Sequence, residues 1–222
     1  MQNALIEPFQ KVRDLAVAQA NPFRPRDGNW RVASLPKIEA EALLAEVGGP
    51  IELLLGDRIY SRNGDPLEAV VGELLHKMDA TVSVAESATG GMLGERFTSA
   101  PGSSQYFLGG FITYNNAMKM ELLGVIPEIL KEHGAVSKET AEAMAQGARR
   151  RTKSTYALSI TGAAGPESGD EKVPKGTMYV GLADAAGTTS VQRQFLGDRQ
   201  RIRTFAVQAA LDLLRRRITG RP

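Results

Sequence analysis

The chain has 222 residues, of which 42% are hydrophobic and 23% are charged, with a formal net charge of +2 and no cysteine. The lack of cysteine excludes disulfides, zinc–thiolate sites and a cysteine nucleophile. Because no apolar run reaches the length of a membrane span and no charged-then-apolar leader is present, we expect a cytoplasmic protein with a sizeable hydrophobic core.

The first 65 residues differ in pattern from the rest of the chain. An amphipathic stretch at residues 4–18 leads into a Pro- and Arg-rich breaker at residues 21–28. Strand-like, helix-like and strand-like runs follow at residues 30–33, 38–47 and 51–55. Turn-forming residues at 61–66 then indicate a linker. We therefore predict a small α/β appendage over residues 1–65 and a main domain over residues 66–222.

The main domain alternates between helical and extended patterns. Helix-like runs occupy residues 67–78, 91–97, 117–123, 137–151 and 200–218, and strand-like runs occupy residues 81–85, 107–114, 156–160, 177–183 and 189–195. In the last of these helices, the helical spacing of apolar residues places Ile202, Phe205 and Leu214 on the face towards the core. Alternating strands and helices that end in a strand pair predict a mixed sheet covered by helices.

The first strand of the main domain runs into a turn of small and hydroxylated residues, Ala85-Glu86-Ser87-Ala88-Thr89-Gly90-Gly91. The first N–H groups of a helix lack internal partners, and glycine lets a ligand approach the backbone closely. Such a turn can hold a phosphate or the oxyanion of an attacked carbonyl, with Ser87 as a nucleophile. An ordinary helix cap is the alternative interpretation of the same residues.

Two further strands end in polar turns. One runs into Thr161-Gly162, and another ends at Tyr114, a short distance before Lys119. In open α/β sheets, ligands bind at the carboxyl ends of the strands. These residues are therefore candidates for one site, although on residue type alone Lys119 is better explained as a solvated helix residue.

The ordered motifs AES-x-TGG, PGSS, GG-x-x-x-Y-x-N-x-x-K, LGV, HGAVS, TG-x-AGP, P-x-G and GDR resemble the C-terminal domain of the competence/damage-inducible CinA family. The resemblance runs from about Pro66 to about Arg217, and so many ordered blocks make it specific. One departure is Ala88, where many members carry cysteine. We expect this change to alter packing more than the type of reaction.

The resemblance implies a three-layer α/β/α fold with a mixed sheet of about five strands. It also implies a nicotinamide-nucleotide amidase, which hydrolyses nicotinamide mononucleotide to nicotinate mononucleotide and ammonia without an organic cofactor or a metal. Residues matching Ser87, Tyr114 and Lys119 form the proposed catalytic set. Ser87 would attack the carboxamide, and Lys119, with Tyr114 as a relay, would accept and pass on the proton.

The resemblance further implies a substrate-binding set: Glu86, Ala88, Thr89, Gly90, Gly91, Thr161, Gly162, Arg199 and Arg203. The two arginines are expected near a phosphate, and the N–H groups of Ala88 and Thr89 near the oxyanion. Glu86 either orients Lys119 or caps its helix. The family also implies a homodimer or a larger homo-oligomer.

Two other functions stay open at this point. The chain could be a non-catalytic nucleotide- or partner-binding module in competence or DNA-damage responses. The arginine runs 149–151 and 215–217 could bind nucleic acid, but no aromatic residues interleave with them, and each run ends a helical pattern that cations complement. The two histidines, His76 and His133, are not expected to be catalytic.

Overall fold

A computed structural model describes residues 55–61, 64–165 and 173–221. The chain divides into two compact units, Met1–Tyr60 and Ser61–Pro222. In the first unit, the described residues form a short 3₁₀ helix, Gly56–Arg58. The elements predicted between residues 4 and 54 lie outside the described residues.

The second unit alternates helices with strands, as predicted. Its described helices are α1 (Leu67–Lys77), α2 (Met92–Thr98), α3 (Asn116–Leu123), α4 (Pro127–His133), α5 (Lys138–Thr152) and α6 (Arg199–Thr219). Its described strands are β1 (Val82–Glu86), β2 (Phe107–Ile112), β3 (Tyr156–Gly162), β4 (Thr177–Asp184) and β5 (Gly187–Gln194). The predicted bounds differ from these by a few residues at most, except that α4 was not among the predicted helices.

The strands form one mixed sheet in the order β2-β1-β3-β4-β5. Strands β2, β1 and β3 are parallel, whereas β4 and β5 are antiparallel to their neighbours and form the predicted hairpin. The mixed five-stranded sheet with helices on both sides confirms the predicted fold class of the main domain. The parallel strands bring the ends of β1, β2 and β3 to the same edge of the sheet.

The two faces of the sheet are packed differently. Val82, Val84 and Leu158 point towards a large aliphatic core beneath α1, α2 and α6. The opposite face carries small residues, which allow α5 to approach closely: the Ser159 hydroxyl donates to the Ala141 carbonyl over 2.5 Å. A side chain at Gly181 would collide with the same carbonyl, so this position requires glycine for packing.

Helix ends follow recognisable signals. Asn115, Ser137 and Asp198 each accept a hydrogen bond from the amide three residues later, at the starts of α3, α5 and α6.

The prediction that Phe205 faces the core is wrong. Its side chain is 38% exposed and packs against Phe195 and beneath the Arg201 guanidinium. No helix in the described ranges has the length and apolar character needed to cross a lipid bilayer.

Candidate active site

Three strand ends meet at the carboxyl edge of the parallel strands. Glu86, the last residue of β1, is level with Ile112 of β2 and Ile160 of β3. The pairing continues one step further, since the Ser87 amide donates to the Ile160 carbonyl and the Thr113 amide donates to the Glu86 carbonyl. Ser87 is therefore held between its two neighbouring strands, at the edge where open α/β sheets bind ligands.

A cavity of about 750 Å³ opens at this edge. Seven of the predicted site residues line it: Ser87, Ala88, Tyr114, Lys119, Thr161, Gly162 and Arg199. The remaining wall comes from the α4–α5 connection and the segment after β3, mainly through Leu130, Ala135, Val136 and Ala163–Gly165. Glu86, Thr89, Gly90, Gly91 and Arg203 are not part of the lining.

The centre of the site is a buried contact between Lys119 and Ser87. The Lys119 Nζ donates to the Ser87 Oγ over 3.2 Å and to the Thr113 carbonyl over 2.9 Å, with the Tyr114 carbonyl at 3.5 Å. The lysine is only 1% exposed and the serine 8%. All of these acceptors are uncharged, so burial is not offset by an ion pair. Desolvation lowers the pKa of Lys119 to about 8.

Local structure explains why a lysine reaches this position. The chain leaves β2 at Ile112, and Asn115 caps α3 with its side chain on the Met118 amide. Lys119 then lies one turn into the helix, on the face that points back over the end of the sheet. Its long apolar stem can be buried while Nζ meets the carbonyls that the strand end leaves unpaired. The same geometry brings Nζ within hydrogen-bonding distance of the Ser87 hydroxyl.

Glu86 caps a helix rather than orienting Lys119. Its carboxylate is buried and accepts from the amides of Gly91, Leu93 and Gly94 over 3.0, 3.0 and 2.8 Å. These are the orphan donors at the start of α2. The N-terminus of this helix is therefore already occupied by a protein carboxylate and does not supply the anion site that the turn suggested from sequence.

Two amides of the turn between β1 and α2 have no protein acceptor among the described residues, and one of them belongs to a residue of the cavity lining, Ala88. Gly90 donates to the Ser87 carbonyl and Gly91 to Glu86. In the described part of the chain, the amides of Ala88 and Thr89 donate to no protein group. The Ala88 amide directly follows the candidate nucleophile, which is the position that commonly supplies an oxyanion donor.

The Tyr114 hydroxyl lies away from the Lys119–Ser87 contact. Its side chain is 65% exposed, and the hydroxyl accepts from the Arg199 Nη2 over 3.3 Å. The Arg199 Nη1 donates to the Gly165 carbonyl over 2.7 Å. Tyr114 and Arg199 therefore form a bridge across the rim of the cavity, whereas Lys119 reaches Ser87 directly.

Arg203 contacts the turn that follows Ser87 and does not line the cavity. Its Nη2 donates to the Thr89 carbonyl over 2.6 Å, and its Nη1 contacts the Gln200 side chain. It is therefore placed to hold the backbone of the turn rather than a ligand in the cavity. Thr161 also uses its hydroxyl for structure, donating to the Ala135 carbonyl over 2.6 Å and tying β3 to the α4–α5 connection.

Sequence reasoning missed several contributors to the site. The Thr113 carbonyl is the shortest acceptor of Lys119, but a carbonyl carries no residue-type signal. Leu130 and Ala135 come from α4 and the connection after it, which was not predicted as a wall. Asn116 also lines the cavity, and its place in the Y-x-N-x-x-K motif could have suggested this.

The arginine runs and the two histidines do not line the cavity. Arg150 and Arg151 donate to the Leu123 and Leu122 carbonyls, closing the C-terminus of α3. Arg217 pairs with Asp184 at 2.6 Å. His133 is half-exposed beside Glu139, and neither it nor His76 lines the cavity.

Comparison with known proteins agrees with the family resemblance of the sequence motifs. A family model described as the CinA C-terminal domain matches residues 64–218. A CinA-like protein of Solibacter usitatus (strain Ellin6076) is 81% identical over 183 residues, covering 82% of this chain and 44% of that protein. The chain thus spans about half the length of the curated relatives it matches.

Solved structures with the same fold carry similar names. A competence-damaged protein (CinA) superfamily protein from Klebsiella pneumoniae superposes with a TM-score of 0.68 at 27% identity, covering 69% of this chain and 96% of that one. The competence/damage inducible protein CihA from Agrobacterium tumefaciens gives a TM-score of 0.66 at 34% identity, covering 69% and 93%.

Proposed function

This chain belongs to the CinA C-terminal domain family, and on that premise we propose that it is an amidohydrolase that converts nicotinamide mononucleotide and water to nicotinate mononucleotide and ammonia. The observation that carries the proposal is the buried Lys119 Nζ, 3.2 Å from the Ser87 Oγ and paired only with neutral acceptors. A lysine with a pKa lowered to about 8 can act as a base near neutral pH.

The proposed reaction begins when neutral Lys119 takes the Ser87 proton. The Ser87 Oγ attacks the carboxamide carbon, and the resulting oxyanion accepts from the free amide of Ala88. The Lys119 ammonium then gives its proton to the leaving nitrogen, which departs as ammonia and leaves an ester on Ser87. Water, deprotonated by Lys119, attacks the ester, and the bond to the Ser87 Oγ breaks. Lys119 returns the proton to Ser87, and the acid is released and ionises to the carboxylate product.

This route differs in one respect from the mechanism that the family resemblance implies. Because Lys119 contacts Ser87 directly, proton transfer between them needs no relay through the Tyr114 hydroxyl. Tyr114 and Arg199 instead form the rim of the cavity. We assign Arg199 to the substrate phosphate, since its fork can exchange the Tyr114 hydroxyl for two phosphate oxygens.

Charge in the cavity favours an anionic substrate. Lys119 and Arg199 are the charged side chains in the described lining, and no carboxylate accompanies them. A phosphate-bearing ligand is therefore better matched to the site than a cationic one.

Release of ammonia from nicotinamide mononucleotide by the purified chain tests the proposal. Ser87→Ala and Lys119→Ala should each abolish release. The matched controls are Ser99→Ala, at the exposed residue that follows α2, and Lys138→Ala, at the exposed first residue of α5; both should retain it. Saturable nucleotide binding by the parent without turnover would instead support the non-catalytic binding module. Full activity in Ser87→Ala would refute the mechanism.

The remaining expectations are also proposals. Homo-oligomerisation is tested by mass measurement in solution. Nucleic-acid binding is disfavoured, because three arginines of the two basic runs donate to the protein's own carbonyls or carboxylates. It would appear as binding that weakens steeply with salt.

A further inference from the structure

The turn that carries Ser87 is held from two sides by charged side chains. On one side, the Glu86 carboxylate binds the amides of Gly91, Leu93 and Gly94. On the other side, the Arg203 guanidinium of α6 binds the Thr89 carbonyl over 2.6 Å. The negative charge accepts from N–H groups and the positive charge donates to a carbonyl oxygen. Together they fix the orientation of the peptide groups in the turn as well as their position.

The peptide bonds of this turn are connected in series. The Thr89 carbonyl, which Arg203 binds, shares its peptide unit with the Gly90 amide. That amide donates to the Ser87 carbonyl over 3.2 Å. The Ser87 carbonyl in turn shares its peptide unit with the Ala88 amide, which no protein acceptor in the described ranges uses.

In a trans peptide the carbonyl and the N–H point in opposite directions. Positive charge at the Thr89 carbonyl therefore polarises the Gly90 N–H, and the Gly90 N–H polarises the Ser87–Ala88 peptide in the same sense. Serial hydrogen bonds of this kind strengthen one another where water is excluded. The end of the series is the N–H of Ala88, a residue that lines the cavity together with Ser87.

We propose that Arg203 is a positioning residue that aims and polarises the Ala88 amide as an oxyanion donor, through the Thr89–Gly90 and Ser87–Ala88 peptides. Arg203 touches no reacting atom, and it acts on the transition state because the oxyanion carries charge only there. The inference rests on the proposed amidase function, but its effect on the Ala88 amide exists in the free protein and can be measured without substrate.

Three variants of the full chain test the inference. Arg203→Met keeps an unbranched apolar stem and removes the charge and the donors. Arg203→Lys restores a charge and one donor. Arg201→Met is the matched control, because Arg201 is an exposed residue of the same helix that packs on Phe205 and does not contact the turn. Each variant is compared with the parent for kcat, KM, melting temperature and the amide proton shift of Ala88 by NMR.

Losing a whole oxyanion donor lowers kcat by about 10²–10³-fold, so weakening one should lower kcat about tenfold. We expect this loss in Arg203→Met with KM within about twofold of the parent, an upfield shift of the Ala88 amide proton, and recovery of most of both effects in Arg203→Lys. Arg201→Met should match the parent in every measurement.

The outcomes separate the inference from the proposed function. An active parent with unchanged kcat and an unchanged Ala88 shift in Arg203→Met overturns the inference and leaves the amidase intact. A loss of kcat that comes with a lower melting temperature and is not recovered by lysine assigns Arg203 to packing and also overturns it. An inactive parent refutes the proposed function, and the Ala88 shift alone then decides the inference.

Discussion

Burial of Lys119 sets a pH dependence that can be calculated from its pKa. With a pKa of about 8, about one-tenth of the lysine is neutral at pH 7, against about three in ten thousand for a pKa of 10.5. Burial therefore raises the population of the active base about 300-fold at this pH. Since the neutral form is the proposed base, we expect amidase activity to rise with pH and to level off above the pKa.

The profile of kcat/KM reports the free enzyme and is the quantity to measure. Between pH 6.5 and pH 9 we expect an increase of about thirtyfold, with a slope of one below pH 8 and a plateau above it. The second ionisation of the substrate phosphate lies near pH 6, below this window. Lys138→Ala serves as a control and should keep the parent profile.

The pH dependence of the unfolding free energy provides a second measure of the Lys119 pKa. The folded pKa of Lys119 lies below its unfolded value, so the unfolded chain binds more protons between pH 8 and pH 10.5. The unfolding free energy of the parent should therefore rise relative to that of Lys119→Met across this interval, by up to about 3 kcal/mol. A flat kcat/KM profile, or a midpoint near pH 10, would refute the assignment of Lys119 as a depressed base.

Two further predictions concern the turn beside Ser87. Glu86→Gln replaces a carboxylate that accepts hydrogen bonds from three backbone amides with a carboxamide whose NH₂ group cannot accept them. The unfolding free energy, measured in urea, should therefore fall by about 2–3 kcal/mol. The control Glu95→Gln, at an exposed position of α2, should change the unfolding free energy little. Ala88→Cys places a thiol in the cavity lining, so iodoacetamide should inactivate this variant, substrate should protect it, and the cysteine-free parent should be unaffected.

The regular elements could be predicted because their signals are local. Strands β1 and β3 are short apolar runs between turn residues, and α5 and α6 have capping residues and a clear period. α4 was missed because it spans only seven residues, which is too short for an apolar period to be detected. Phe205 was placed in the core by its spacing, but only the packed structure shows that this edge of α6 is partly open to solvent.

The site was only partly readable from sequence. The strand-to-turn junctions located Ser87 and Thr161, because the carboxyl ends of parallel strands share an edge. Lys119 needed the family resemblance, since the residue type alone favours an exposed lysine and its burial depends on how α3 leaves β2. The roles of Glu86 and Arg203 depend on which backbone groups their charges meet, and a backbone contact has no residue-type signature.

The arrangement of charge around Ser87 is compatible with the proposed role of Lys119 as the base. A carboxylate beside Nζ would stabilise the ammonium form and raise the pKa. Glu86 is adjacent to Ser87 in sequence, yet its charge is directed away, into the amides that begin α2. Arg203 places a positive charge behind the same turn. The acceptors that remain for Lys119 are neutral. Burial therefore lowers its pKa without an opposing ion pair, which is the condition that the proposed base requires.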